Sequence, residues 1–267
     1  MSAVTMTVDL SGRTAVVTGG ASGIGRATAV AIAEAGGRVF VGDVALRPEN
    51  EEPYQTLGIE QTVCDVTQLD QLQSLIDGAA ESTGRLDILV NNAGIVLVGQ
   101  VDEIDEVDWD RCLDTNLKAA FFGVKFALPH MRRGGGGAVV NTASNAGLLP
   151  RAHDPAYSIS KQALVGLTRS LALCHSKDRV RVNCVCPGPV SATEIMESDL
   201  RAQPDPTAAA ERVIAASPLA EALGRMVTPE EVASAILYLV GEAGEMVTGT
   251  AVAIDGGKSL GVPPRGR

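Results

Sequence analysis

Apolar residues gather in short runs that recur along the chain: "TAVVT" (14–18), "RVFVGD" (38–43), "QTVCDV" (61–66), "LDILVN" (86–91), "AVVNTA" (138–143), "RVNCVC" (181–186) and "TAVAID" (250–255). Several are apolar at successive rather than alternate positions, which predicts strands covered on both faces, as in a parallel sheet. Between them, "GRATAVAIAEAG" and "PEEVASAILYLV" place Ala, Val, Ile and Leu at three- and four-residue spacing, the signature of helices with one buried stripe. Strand and helix patterns alternate over nearly the whole length. The expected fold is therefore α/β, a doubly wound parallel sheet of about seven strands with helices on both faces. The glycines at 134–137, after a basic "MRR", predict a helix stop before the fifth strand.

Residues 189–218, "PVSATEIMESDLRAQPDPTAAAERVIAASP", break this regularity with prolines, acids and isolated apolar residues. They read as a loop with short helices over a site, a substrate-binding lid within the domain, because a connection that long is more often functional than a mere link. No repeat and no linker divides the chain, and 267 residues suit one domain, 1–267.

Composition narrows the partners. Aromatic residues make up 3% of the chain, so the core must be built from Ala, Val, Ile and Leu. A net charge of −10 with no basic stripe argues against nucleic acid and against anionic membrane surfaces, leaving a small molecule as the expected partner. Cys64, Cys112, Cys174, Cys184 and Cys186 form no CxxC pair, and His130, His153 and His175 form no ligand pattern. Buried reduced thiols are expected, with no metal and no disulfide. "MSAVTMTVDLSG" lacks the charge and apolar length of a signal peptide, and no apolar run approaches a bilayer span, so the expected location is cytoplasmic.

The first strand runs into "TGGASGIG" (18–25). Gly19, Gly23 and Gly25 let the backbone turn sharply into a helix whose free N–H groups and positive end suit a diphosphate, although the same spacing also fits a plain tight turn. The second strand ends in Asp43, 18 residues beyond Gly25. A carboxylate there can accept both ribose hydroxyls of an adenosine and repels a 2′-phosphate, which favours NAD over NADP. Val44 follows rather than a base, while the nearby Arg47 argues the other way.

In "YSISK" (157–161), Tyr157 and Lys161 stand four apart and share a helix face, as two solvent-facing side chains also would. "DPAY" suggests Asp154 as N-cap and Pro155 as the first helical residue, which puts Tyr157 in the first turn. A tyrosine of ordinary pKa near 10 is a poor base at neutral pH, and an ammonium one turn away can acidify it. Ser144, just past "VVNTA", lies at the carboxyl edge of the sheet, where its hydroxyl can hold a substrate oxygen; a small turn serine is the plainer reading. Asn116 in "DTNLKAA" interrupts a helical pattern, and a kinked helix there can hold a water that relays protons to Lys161.

"TGGASGIG", "NNAG" (91–94), Asn116, Ser144, "YSISK" and "PG" (187–188) together resemble the short-chain dehydrogenase/reductase family, over about residues 10 to 260, including "GRMVTPEEVA" and "VTGTAVAIDGG". The resemblance implies a single-domain Rossmann-type fold and an NAD(P)-dependent oxidoreductase acting on CH–OH groups, with Asn116, Ser144, Tyr157 and Lys161 as catalytic residues. It implies that Thr18, Gly19, Ser22, Gly23, Ile24 and Gly25 form the diphosphate turn, that Asp65 and Val66 meet the adenine, and that Asn92, Ala93 and Gly94 pass beside the ribose. Lys161 would also anchor the nicotinamide ribose, with Tyr157 beside the ring. Pro187, Gly188 and Val190 would lie against the nicotinamide. Related proteins use a threonine five residues after the proline; here that place is Ala192, and the threonine is Thr193.

The expected chemistry is NAD-dependent interconversion of a secondary alcohol and a ketone, with Tyr157 as general acid/base. One rival is an NADPH-dependent 3-oxoacyl-thioester reductase, which uses the same tetrad. Another, of a different class, is a regulator that senses the dinucleotide without turnover. Leu148, Leu149, Ile195 and Met196 hint at an apolar substrate body, and His153 reads as a solvent-facing loop residue. The polar "LRPENEEPYQT" after the second strand departs from the helix usual in the family. The resemblance implies a homotetramer, with the helices at 106–132 and 155–175 as contact surfaces.

Overall fold

A computed structural model describes residues 8–261. The start of the segment read for a signal peptide lies outside them. In chain order the elements are β1 (Thr14–Thr18), α1 (Gly23–Glu34), β2 (Arg38–Asp43), α2 (Glu51–Leu57), β3 (Glu60–Val63), α3 (Leu69–Thr83), β4 (Ile88–Asn91), α4 (Glu106–Leu113), α5 (Ala119–Gly134), β5 (Gly137–Thr142), α6 (Pro155–His175), β6 (Val180–Pro187), α7 (Glu194–Arg201), α8 (Pro206–Ala215), α9 (Pro218–Leu223), α10 (Pro229–Val240) and β7 (Ala251–Ile254). The seven strands pair in parallel in the order β3-β2-β1-β4-β5-β6-β7. The order reverses at β1, so a crevice opens between the chain leaving β1 and the chain leaving β4 at the carboxyl edge.

The continuous apolar runs have the expected cause. Along β1, Ala15 and Val17 pack with Ala29 and Ile32 of α1 and Ile236 of α10, whereas Val16 faces Leu72 and Ile76 of α3 and Val124 of α5. Each residue of β1 thus meets a helix on one side or the other, and this central strand has no solvated face left to alternate.

Strand ends differ from expectation where a polar side chain captures the backbone. Past β3, the Cys64 N–H still donates to the Asp43 carbonyl (2.8 Å), but the Asp65 carboxylate accepts hydrogen bonds from the Thr67 N–H and hydroxyl, which turns the chain away before Asp65–Val66 can extend the ladder. Before β4, buried Asp87 accepts from the Thr14 N–H and pairs with Arg13 and Arg85. Helix α5 ends at Gly134 and is capped by Gly135 at φ 87°, the stop read from the glycine run. Cys174 corrects the expectation of buried thiols: it is exposed near the end of α6, the other four cysteines are buried, and all five are free.

Residues 189–218 are mostly helical, comprising α7, α8 and the start of α9. No helix of the described residues is long and apolar enough to cross a membrane, and no three His, Cys, Asp or Glu side chains among them are grouped to hold a metal ion.

Candidate active site

Helix α6 carries the tyrosine and lysine, and a buried polar ladder fixes it on the sheet. The Asn91 amide donates to Asn141 Oδ1 (2.9 Å), the Asn141 amide donates to Thr168 Oγ1 (2.9 Å), and Thr168 donates to the Leu164 carbonyl (2.8 Å). Every buried polar group in this ladder has a partner, so it orients β4, β5 and α6 together.

Pro155 opens α6 and Asp154 precedes it, as the sequence suggests, but the Asp154 side chain does not cap the helix. It accepts from the Ser158 hydroxyl (3.1 Å) and pairs with Arg151 (3.0 Å). Arg151 in turn places its guanidinium carbon 5.9 Å from the centre of the Tyr157 ring. Sequence reading missed this arginine because it reaches the ring through a loop rather than along a helix face.

Tyr157 and Lys161 are both buried, with the Lys161 Nζ 5.8 Å from the Tyr157 ring centre and donating to the Thr142 carbonyl (3.0 Å). Burial pushes the phenol above its ordinary pKa; the Ser144 hydroxyl and Arg151 favour its ionised form, and Asp154 opposes it. Desolvation dominates the balance at the phenol, and the Lys161 ammonium sits over the ring. Burial also brings the Lys161 pKa down to about 8.

Asn116 lies in a widened turn, Asp114–Lys118, between α4 and α5. There the hydrogen bonds slip from four-residue to five-residue spacing, a local widening that interrupts the regular helix. The Asn116 side chain accepts from the Ile95 N–H (2.9 Å) and donates to the Ile95 carbonyl (2.9 Å) and Ser160 Oγ (3.0 Å). A Cβ on Gly94 would stand 3.1 Å from Asn116 Oδ1 and 3.2 Å from Lys161 Nζ, so Asn116, Gly94 and Lys161 converge. Ser144 accepts from the Ala146 N–H (3.1 Å) and turns the chain after β5.

At the other end of the crevice, Gly19 adopts φ 64° and Gly23 φ 51°, and a Cβ on Gly25 would lie 2.1 Å from the Gly19 carbonyl oxygen. Thr18 Oγ1 accepts from the N–H groups of Asn92 (3.0 Å) and Ala93 (3.1 Å), and the Asn92 amide donates to the Thr18 and Gly19 carbonyls. The glycine turn and the 92–94 segment thus form one cradle. Asp43 accepts from the Ala21 N–H (2.9 Å), so its carboxylate borders the turn. Val66 and Thr18 line a small cavity with Asn116, while Asp65 is engaged in its own turn. Pro187 ends β6, Gly188 donates its N–H to the Ile254 carbonyl (2.9 Å), and Val190 is buried. Thr193 caps α7, and its methyl carbon would lie 3.1 Å from a Cβ on Gly23, so Thr193 rather than Ala192 reaches the turn. His153 is exposed.

The sequence reading also missed Gly20, Arg26, Asn50 and Tyr54. A Cβ on Gly20 would stand 2.5 Å from Val41 Cγ1. The segment that departs from the family pattern folds as a short turn, Pro48–Asn50, followed by α2. From it, Tyr54 donates to the Gly20 carbonyl (2.5 Å) and Asn50 to the Ala21 carbonyl (2.7 Å), while Arg26 donates to Asn50 Oδ1 (2.7 Å).

Residues 19–259 match the family model described as enoyl-(acyl carrier protein) reductase. The chain is 38% identical to the cis-4-hydroxycyclohexanecarboxylate dehydrogenase of Sinomonas cyclohexanicum, covering 92% of this chain and 96% of the relative. It is 37% identical to dehydrogenase/reductase SDR family member 6 of Aquarana catesbeiana, covering 94% and 99%. The solved structure of Thermoplasma acidophilum aldohexose dehydrogenase in ligand-free form superimposes with a TM-score of 0.87 at 30% identity, covering 97% of this chain and 98% of that one. With sequence and backbone agreeing over nearly the full described length, the chain belongs to the short-chain dehydrogenase/reductase family and is an oxidoreductase acting on CH–OH groups.

Proposed function

We propose that the protein interconverts a secondary alcohol and a ketone with NAD, using Tyr157 as general acid/base. The observation that carries this reading is the convergence of Tyr157, Lys161, Ser144 and Asn116 beside a glycine cradle bordered by the Asp43 carboxylate. The cradle suits a dinucleotide: a Cβ at Gly19 or Gly25 would collide with Ala93 or with the Gly19 carbonyl, so only glycines let the turn close this tightly, and it leaves the Ser22 N–H at the start of α1 without an acceptor among the described residues.

When bound, the nicotinamide supplies the two-electron exchange as a hydride at its C4. In oxidation Tyr157 would take the hydroxyl proton of the alcohol, and in reduction its phenol would return a proton to the ketone oxygen. Ser144 orients the substrate oxygen toward the phenol, and Arg151 favours the ionised phenol. Lys161, buried beside Gly94, would hold the nicotinamide ribose and supply positive charge there, and Asn116, which converges on the same point, would keep a proton route to Lys161 in place.

Asp43 supports NAD over NADP, since a carboxylate accepts ribose hydroxyls and repels a phosphate. Arg47 does not offset this, because it faces two acids, Glu49 at 3.8 Å and Glu194 at 3.9 Å. The same carboxylate disfavours the NADPH-linked thioester reductase. The helices of 189–218 form the lid, and partly exposed Leu148 and Ile195 suit a substrate with an apolar body. Similarity to a hydroxycyclohexanecarboxylate dehydrogenase and an aldohexose dehydrogenase agrees with a small hydroxylated substrate. We place this single-domain enzyme in the cytoplasm as a homotetramer.

A steady-state screen of secondary alcohols with NAD and NADP in parallel tests the reading. Turnover is expected with NAD and is expected to fall at least about 10²-fold in Tyr157→Phe, with NAD binding unchanged. No turnover across a broad panel, with NAD still bound, would favour a sensor.

A further inference from the structure

We infer that Tyr54 and Asn50 are positioning residues for the dinucleotide, holding two successive peptide planes of the glycine turn in their binding orientation. This rests on the reading that the turn takes a dinucleotide diphosphate. A trans peptide is planar, so its C=O and N–H point in opposite directions, and pinning one aims the other.

In the plane joining Gly20 to Ala21, the carbonyl accepts from Tyr54 (2.5 Å) and the N–H donates to Asp43 Oδ2 (2.9 Å). The Tyr54 bond therefore sets the side from which Asp43 is held at the end of β2. In the next plane, the Ala21 carbonyl accepts from Asn50 (2.7 Å), which turns the Ser22 N–H the opposite way. Among the described residues that N–H takes no acceptor, and Ser22 stands at the N-cap of α1, where an anion is favoured. Arg26 of α1 donates to Asn50 Oδ1 (2.7 Å), so the clamp joins helix, turn and α2.

Burial shows that this is a built feature. Asn50 is 0% exposed and Tyr54 1% exposed, in a segment that is otherwise polar. Gly20 is pressed against Val41, so the turn cannot relax by moving toward β2. A glycine-rich turn left unsupported would sample several backbone states and lose affinity in ordering them. Tyr54 and Asn50 remove that cost in advance.

The experiment uses the full-length chain without cofactor and measures NAD binding by isothermal titration calorimetry, Tm alone, and kcat at saturating NAD. Tyr54→Phe deletes one hydroxyl and Asn50→Asp replaces the donor with a carboxylate. Thr56→Ala, on the exposed part of α2, is the control. The expected result is an NAD Kd raised about 3–10-fold in Tyr54→Phe and at least about tenfold in Asn50→Asp, kcat within twofold of the parent, and no change in Kd for Thr56→Ala. A Kd within twofold of the parent in Tyr54→Phe overturns the inference, whether or not Tm falls, because a bond that only stabilises the fold moves Tm and not affinity. Should Asn50→Asp fail to fold, Tyr54→Phe alone decides. A parent that binds neither NAD nor NADP overturns the underlying reading as well, and this is seen before any variant is compared.

Discussion

Lys161 shows how one side chain serves the site at the expense of the fold. The residue is 4% exposed, and burial brings its pKa from an ordinary 10.5 to about 8. Between those values the unfolded chain holds a proton that the folded chain has released, so the part of stability due to Lys161 rises as pH increases from about 8 to 10.5. The shift corresponds to roughly 3 kcal/mol. Urea unfolding of the parent and Lys161→Met should therefore show a stability difference that moves in the parent's favour by that order across this window. A difference that stays flat with pH would mean that the ammonium is not desolvated. The pairing with Tyr157 was legible because helical periodicity converts a spacing of four into proximity. The Arg151 approach to the same ring was not, because proximity through a loop leaves no mark in spacing.

Among the elements, the strands were legible because burial on both faces writes itself as continuous apolar runs, and their ends were not, because single side chains such as Asp65 and Asp87 decide them. Helix α2 shows the opposite case. Its sequence looks like solvent-facing loop, and its purpose appears only when Tyr54 and Asn50 meet the turn after β1. The entry to α7 is another place where local sequence hides geometry. Ala192 adopts φ 53°, a left-handed conformation that costs a residue with a Cβ about 1–2 kcal/mol. It is the residue immediately before Thr193, which caps α7 and touches Gly23. Ala192→Gly relieves that strain, so its Tm should match or exceed the parent's. Ala209→Gly, inside α8, should lose about 1 kcal/mol or more, and about 2–4 °C in Tm. Equal losses in the two variants would show that Ala192 carries no strain.

At the scale of the molecule, apolar side chains remain uncovered on the helices expected to meet other subunits: Val107 and Trp109 on α4, Phe121 on α5, and Ile159 and Leu173 on α6. A homotetramer of the 27.6 kDa chain would give about 110 kDa by light scattering. Phe121→Asp should shift the protein to smaller species, because a charge has no place in a desolvated interface; an unchanged mass would move the interface elsewhere. Trp109, the chain's single tryptophan, is 38% exposed on that face rather than packed in the sheet layers. Its intrinsic fluorescence should then report the joining of subunits, shifting to the blue with increasing concentration, while remaining a poor witness to the melting of the interior. Optical unfolding curves recorded through this indole would register dissociation first.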